Sequence, residues 1–203
     1  GGDAHGVVLD LLDRAGVEAA AEAAWAWRGR LDAVVLAAIY QGPGNMDRVG
    51  ELNLDDAETI MQADYLHQLV LLQRLVPRMC AHGGGAVVNI TSFSARHDPP
   101  GPIGAGGWGL AYAAAKAAMH RVAGHLQVEF GPQGLRAYNL DPGHVVTAMA
   151  RARGTGATVH GTDPVLPGRV AAWLCTADDE TRSLAGTTVV ADKLRARFGP
   201  HPS

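Results

Sequence analysis

Tyr112-Ala113-Ala114-Ala115-Lys116 decides the reading of this chain. Alanine-rich flanks predict a helix over Leu110 to Phe130, closed by Gly131-Pro132-Gln133-Gly134. Residues four apart share a helix face, so the Tyr112 phenol and the Lys116 ammonium address one spot. A phenol is a weak acid, with a reference pKa of about 10, and a cation held beside it favours the phenolate. The spacing is otherwise that of an ordinary surface pair. Against that reading, four tyrosines and two lysines in 203 residues predict roughly 0.04 chance occurrences. Lys116 and Lys193 are the only lysines in a Lys+Arg total of 17, so where any cation would serve this sequence writes arginine. Lys116 reads as chosen for its compact ammonium.

Outward from the helix, Gly83-Gly84-Gly85 leads into Ala86 to Ile90, a β-branched apolar run that reads as a buried strand. Thr91-Ser92-Phe93-Ser94 places hydroxyls just past its carboxyl end, where open α/β sheets bind ligands. Arg136 to Leu140 reads as another strand, followed by Asp141-Pro142-Gly143-His144-Val145-Val146-Thr147. Strand, hydroxyl, Tyr/Lys helix, strand and Pro-Gly turn, in that order, resemble the short-chain dehydrogenase/reductase family.

The resemblance extends over most of the chain. Val7 to Leu9 is predicted as a strand, with Val8 to Asp13 resembling the family's third strand and the acidic turn that receives adenine. Gly29 to Val35 resembles the entry to its fourth strand, and Ala33 to Ala38 is an uninterrupted apolar run. Leu54 to Met79 is predicted as a long helix, interrupted only by Pro77. The implied fold is an α/β, Rossmann-like, doubly wound parallel sheet in a single domain over residues 1–203. The family's first strand, glycine-rich turn, first helix and second strand have no counterpart, so an amino-terminally shortened fold with weak or no NADH or NADPH binding is expected. Topology then leaves Ala33 to Ala38 as an open edge or pairs it directly with Val7 to Leu9.

The resemblance implies hydride transfer between nicotinamide and a carbonyl or alcohol carbon. Ser92 would hold the substrate oxygen, Tyr112 would exchange its proton, and Lys116 would tune Tyr112 and bind the nicotinamide ribose. Thr147 and the backbone near Val145 would hold the carboxamide, Pro142 and Gly143 would also bind the cofactor, and Asp10 and Leu11 would flank the adenine. The cofactor is NAD or NADP. Asp64 falls where the family carries an asparagine and is a fourth catalytic candidate, either pairing with Lys116 or simply solvated. The family's asparagine motif is replaced by Leu36-Ala37-Ala38-Ile39. These departures keep open an alternative, an inactive family-derived interaction or scaffold subunit.

Two glycine-rich segments remain. Gly104 to Gly109 matches G-x-G-x-x-G, but that turn needs a strand immediately before it, and the nearest ends at Ile90. The loop is expected to border the substrate pocket, with Ile103 and Trp108 as apolar wall. Arg151 to Gly156 reads as a substrate lid or an ordinary surface loop.

Composition narrows the class. With 47% hydrophobic and 18% charged residues the chain can bury one substantial core, and a net charge of −3 lacks the basic face of a nucleic-acid reader. No apolar run is long enough for a membrane span. Cys80 and Cys175 have no paired metal spacing, so a reducing, cytoplasmic setting is expected. Nine histidines form no H-E-x-x-H, no G-x-S-x-G surrounds Ser92 or Ser94, and His97-Asp98 sits on a proline-rich loop unsuited to a triad. The expected partners are a small carbonyl or alcohol substrate and, through the Leu66, Leu69, Val70 and Gln73 stripe, a second copy in a dimer or tetramer.

Overall fold

Gly84 and Gly134 meet back to back at the foot of the sheet, and a Cβ on Gly84 would strike the Gly134 carbonyl. This close approach lets β2 (Gly85–Ile90) and β3 (Leu135–Asp141) start side by side, with Gly85 opposite Leu135 and Ile90 opposite Leu140. The computed structural model describes residues 2–145 and 161–199. Within them, β1 (Ala33–Leu36), β2, β3 and β4 (Thr188–Val190) form a parallel sheet in the order β1-β2-β3-β4.

Side-chain alternation puts helices on both faces, as parallel sheets require. Val87 and Ala137 point into a core made with α1 (Arg14–Arg28), α3 (His67–Ala81) and α4 (Leu110–Phe130). Ala86, Val88, Tyr138 and Leu140 point the other way, onto α5 (Val165–Leu174) and the segment after β4. The short helices α6 (Asp179–Ser183) and α7 (Arg195–Phe198) complete that second layer, with Phe198 packed on Trp173. Helix α1 is bounded as its sequence predicts: Asp13 Oδ1 accepts from Ala15 N at 3.0 Å, and Gly29 closes the end at φ 68°.

Three expectations are corrected. Val7 to Leu9 is not a strand; the segment runs without regular structure and Val8 is 94% exposed. Three apolar residues carry the pattern of a strand, but among the described residues no neighbour supplies the ladder. The β1 edge is accordingly open, with Val35 45% exposed, and the strand stops at Leu36 rather than Ala38. Pro77 does not interrupt its helix, which continues to Ala81 because Leu75, Val76, Met79 and Cys80 are locked into the core on either side. The break lies earlier. Between α2 (Leu54–Met61) and α3, residues Gln62–Leu66 form a π turn, which shifts the register of the face bearing Asp64 and Gln68.

Candidate active site

Ser92, Lys116, Asp64 and the Pro142-Gly143 turn gather at the carboxyl ends of β1, β2 and β3. Two buried asparagines fix the framework. Asn89 Nδ2 donates to Asn139 Oδ1 at 2.8 Å and to the Met119 carbonyl at 3.1 Å, while Asn139 Nδ2 donates to the His120 carbonyl at 2.8 Å. The pair therefore staples β2 and β3 to α4 one turn beyond Lys116. Buried amides with satisfied partners specify position, because any slip would leave them unpaired.

Lys116 is 8% exposed, and its Nζ donates to the Ile90 carbonyl at 2.9 Å. An ammonium has three donors, so two remain for other acceptors. Burial pulls its pKa down from 10.5 to about 8, opposed by the Asp64 carboxylate. The surface-pair reading thus does not describe Lys116.

Asp64 is not solvated either. At 2% exposure, its Oδ1 accepts from Tyr40 N at 2.6 Å while its Oδ2 is buried without a hydrogen-bond partner among the described residues. Burial raises its pKa, held back first by the Tyr40 amide and then by Lys116. Gln68 Nε2 donates to the Ala38 and Asp64 carbonyls, both at 3.2 Å, and Asn45 Nδ2 donates to the Tyr40 carbonyl at 3.2 Å and to the Gly42 carbonyl at 2.9 Å. Asp64 of the π turn and Gln68 at the start of α3 therefore hold the loop after β1, at Tyr40 and Ala38. Asp64→Asn would keep an acceptor for Tyr40 N and remove the charge that supports the Lys116 ammonium. Its expected result is a further fall in the Lys116 pKa, read by NMR titration of the side chain; an unchanged or raised value would contradict the coupling.

The Ser92 hydroxyl accepts from Ser94 N at 3.2 Å and from Ser94 Oγ at 2.9 Å as it caps the turn Phe93–Ala95. Both lone pairs are then engaged, leaving its own proton to donate. Tyr112 is half-buried, one turn before Lys116, and its hydroxyl has no hydrogen-bond partner among the described residues. A weak acid, a hydroxyl donor and a buried cation are thus all present for proton exchange with a bound oxygen.

Gly143, at φ 73°, donates its amide to Asp141 Oδ1 at 3.1 Å. A Cβ there would meet Asp192 and Thr162, so glycine is required at this turn. Val145 bridges to Thr162, and the predicted contacts of Thr147 and of Arg151 to Gly156 lie outside the described residues. Asp10 is exposed and Leu11 half-buried at the turn before α1, where Asp10 Oδ1 accepts from Leu12 N and the Leu11 carbonyl meets His67 Nδ1 at 2.6 Å.

The expected apolar wall lines a groove on the neighbouring face of α4. Ile103 and Trp108 line a groove of about 1030 Å³ with Phe93, Pro99 and Leu110, bordered by Ala113, Ala114 and Ala117 of α4 rather than by Tyr112 or Lys116. One residue step along a helix turns the face by about 100°, which separates this groove from the Tyr112 side. Gly104 to Gly109 is a loop without a preceding strand, as the rejection of a dinucleotide turn required.

Comparison with known proteins identifies the fold's relatives. D-threitol dehydrogenase of Mycolicibacterium smegmatis is 32% identical over 157 residues, which cover 73% of this chain and 55% of that protein. Oxidoreductase UcpA of Escherichia coli is 28% identical over 203 residues, covering 92% and 73%. The chain spans about half the length of the D-threitol dehydrogenase and of a Danio rerio dehydrogenase/reductase, where the match covers 52%. Among solved structures, a short chain dehydrogenase from Shigella flexneri complexed with NADP superposes with a TM-score of 0.74 at 28% identity, covering 91% of this chain and 73% of that one. A family model described as short chain dehydrogenase matches residues 1–157. That match runs through β1, β2, β3 and the helix bearing Tyr112 and Lys116, more than half of the residues, and the chain therefore belongs to the short-chain dehydrogenase/reductase family.

Proposed function

We propose that the protein is an NAD(P)-dependent oxidoreductase acting on a small carbonyl or alcohol substrate. The observation that carries this reading is the Lys116 ammonium, buried one turn from a Tyr112 hydroxyl that has no partner among the described residues and spending one of its three donors on Ile90. The two remaining donors fit ribose hydroxyls, and the carboxyl ends of the parallel strands are where such folds take dinucleotides. When bound, the nicotinamide supplies or accepts the hydride.

The chain's own residues handle the proton. In the reductive direction Ser92 donates a hydrogen bond to the carbonyl oxygen and polarises it. Tyr112 then gives its proton to that oxygen as charge develops there, and Lys116 stabilises the phenolate left behind. In the oxidative direction the phenolate takes the alcohol proton. Asp64 supports the charged form of Lys116 and fixes the loop after β1. Pro142, Gly143, the backbone at Val145 and Thr147 hold the carboxamide, and Asp10 and Leu11 flank the adenine. NADH- and NADPH-dependent turnover of a panel of aldehydes, ketones and polyols tests the reading. Consumption of reduced cofactor with one class of carbonyl is expected; none with any would overturn it.

We read the chain as one domain that works in the cytoplasm as a homo-oligomer. Among the described residues no helix is long and apolar enough to cross a membrane. Leu110 and Val128 of α4 are 52% and 80% exposed, and Leu66 beside them in the expected stripe is 48% exposed while Val70 is buried. Apolar side chains left outside along two neighbouring helices favour a second copy as their cover. Sedimentation at micromolar concentration is expected to give a dimer or tetramer, and a monomer would remove the claim.

A further inference from the structure

The Arg96 guanidinium and the Asp141 carboxylate come from opposite sides of the site. Arg96 ends the short turn that Ser92 begins, its amide donating to the Phe93 carbonyl at 3.1 Å. Asp141 is the last residue of β3 and, through Oδ1, holds the Gly143 amide. An Arg96 terminal nitrogen donates to the other oxygen, Oδ2, at 2.5 Å. The Asp141 side chain is 4% exposed and that of Arg96 27%, so this pair, unlike the surface pairs on α1 and α3, lies largely out of water.

We propose that Arg96 is a positioning residue of the active site, clamping the Ser92 turn to the Asp141-Pro142-Gly143 turn so that the hydroxyl donor and the carboxamide-binding backbone keep one fixed separation. The proposal rests on the oxidoreductase reading. The geometry supplies its reason. Ser92 follows β2 and Gly143 follows β3, and beyond the last ladder bond, Thr91 N to the Leu140 carbonyl at 2.9 Å, the two segments leave the sheet without further backbone pairing between them among the described residues. Arg96–Asp141 is the ion pair that joins them there. His120 lies behind, its Nδ1 2.9 Å from Thr91 Oγ1, and burial together with Arg96 and Arg121 lowers its pKa against the pull of Asp141. Reacting atoms must be held about 3–3.5 Å apart and aligned for hydride transfer, so loosening this separation acts on the chemical step more than on binding.

Arg96→Ala should lower kcat by about 100-fold with KM for the carbonyl substrate changed by less than about threefold. Arg96→Lys should recover at least about tenfold of the loss, since a single donor reaches Asp141 and an ammonium can replace it. Removing one partner of a buried pair strands the other, so a double variant, Arg96→Met with Asp141→Asn, removes both charges and keeps an acceptor for the Gly143 amide. Its kcat should stay about 100-fold down at a near-normal Tm. A purely structural pair would instead lower Tm in Arg96→Ala and leave kcat per folded molecule unchanged in both variants, which would overturn the proposal. Amide hydrogen exchange gives a readout independent of turnover. Exchange at Ser94 and Gly143 should quicken together in the double variant and be restored in Arg96→Lys. If the wild type transfers no hydride, the oxidoreductase reading fails, and exchange alone judges the clamp: a joint rise supports it and unchanged exchange overturns it.

Discussion

Tyr112→Phe is expected to lower kcat by about 10²–10⁴-fold, the usual share of a positioned general acid. The variant removes one hydroxyl that has no hydrogen-bond partner among the described residues, so the fold should not notice. Tm is expected to stay within the range of a neutral surface change, about 0.5 kcal/mol in stability. Ser92, proposed to donate to the same substrate oxygen, cannot take over, because a serine hydroxyl is a far weaker acid than a phenol. Turnover at the wild-type rate would remove Tyr112 from the chemistry and with it the reason for a lysine one turn later.

Lys116→Arg is expected to fail almost as completely, with kcat down by about 10²-fold or more. The guanidinium is planar and larger than the ammonium, and position 116 is 8% exposed between Ile90 and Asp64, so the fork cannot reproduce the ammonium's contacts. The pH dependence carries a second signature. With the Lys116 pKa lowered to about 8, the ammonium that favours the phenolate is lost as pH rises through about 8, and activity should decline on that limb. Stability should move the other way. The unfolded chain keeps the lysine proton up to 10.5 while the folded one sheds it near 8, so between these values unfolding takes up protons and this group makes the fold more stable with rising pH. Lys116→Met should flatten that part of the stability profile. An equal slope in wild type and Lys116→Met would contradict the burial of the charge.

The sequence carries the site in one dimension and loses it in another. Leu110 to Phe130 is a helix at the bounds its alanines and Gly131 announce, and β2 and β3 fall on the predicted apolar runs, because each signal is local. Tyr112 and Lys116 are legible for the same reason: one helical turn is a distance a sequence can state. What joins distant segments is not written locally. Arg96 and Asp141 are 45 residues apart, and Asn89 and Asn139 are 50 apart. Each looks like a polar residue beside a turn or in a strand until the sheet brings the two together. The π turn at Gln62–Leu66 leaves no composition mark, since one residue added to a turn disturbs a helical period less than neighbouring polar positions do. Gln68 therefore reads as an ordinary helix position, and Asp64 stands out only through the family resemblance, although both hold the loop after β1. Val7 to Leu9 errs in the opposite sense: its β-branched pattern is sound, but a strand exists only where another strand pairs with it.

Isotope transfer tests the central claim most directly. The protein is incubated with NADH or NADPH deuterated at the transferable ring position and with a panel of carbonyl substrates, beside its Tyr112→Phe variant. The proposed chemistry predicts deuterium on the carbinol carbon of the product for the wild type and at least about 10²-fold less for the variant. Absence of transfer by the wild type from either cofactor, or equal transfer by both proteins, would contradict it.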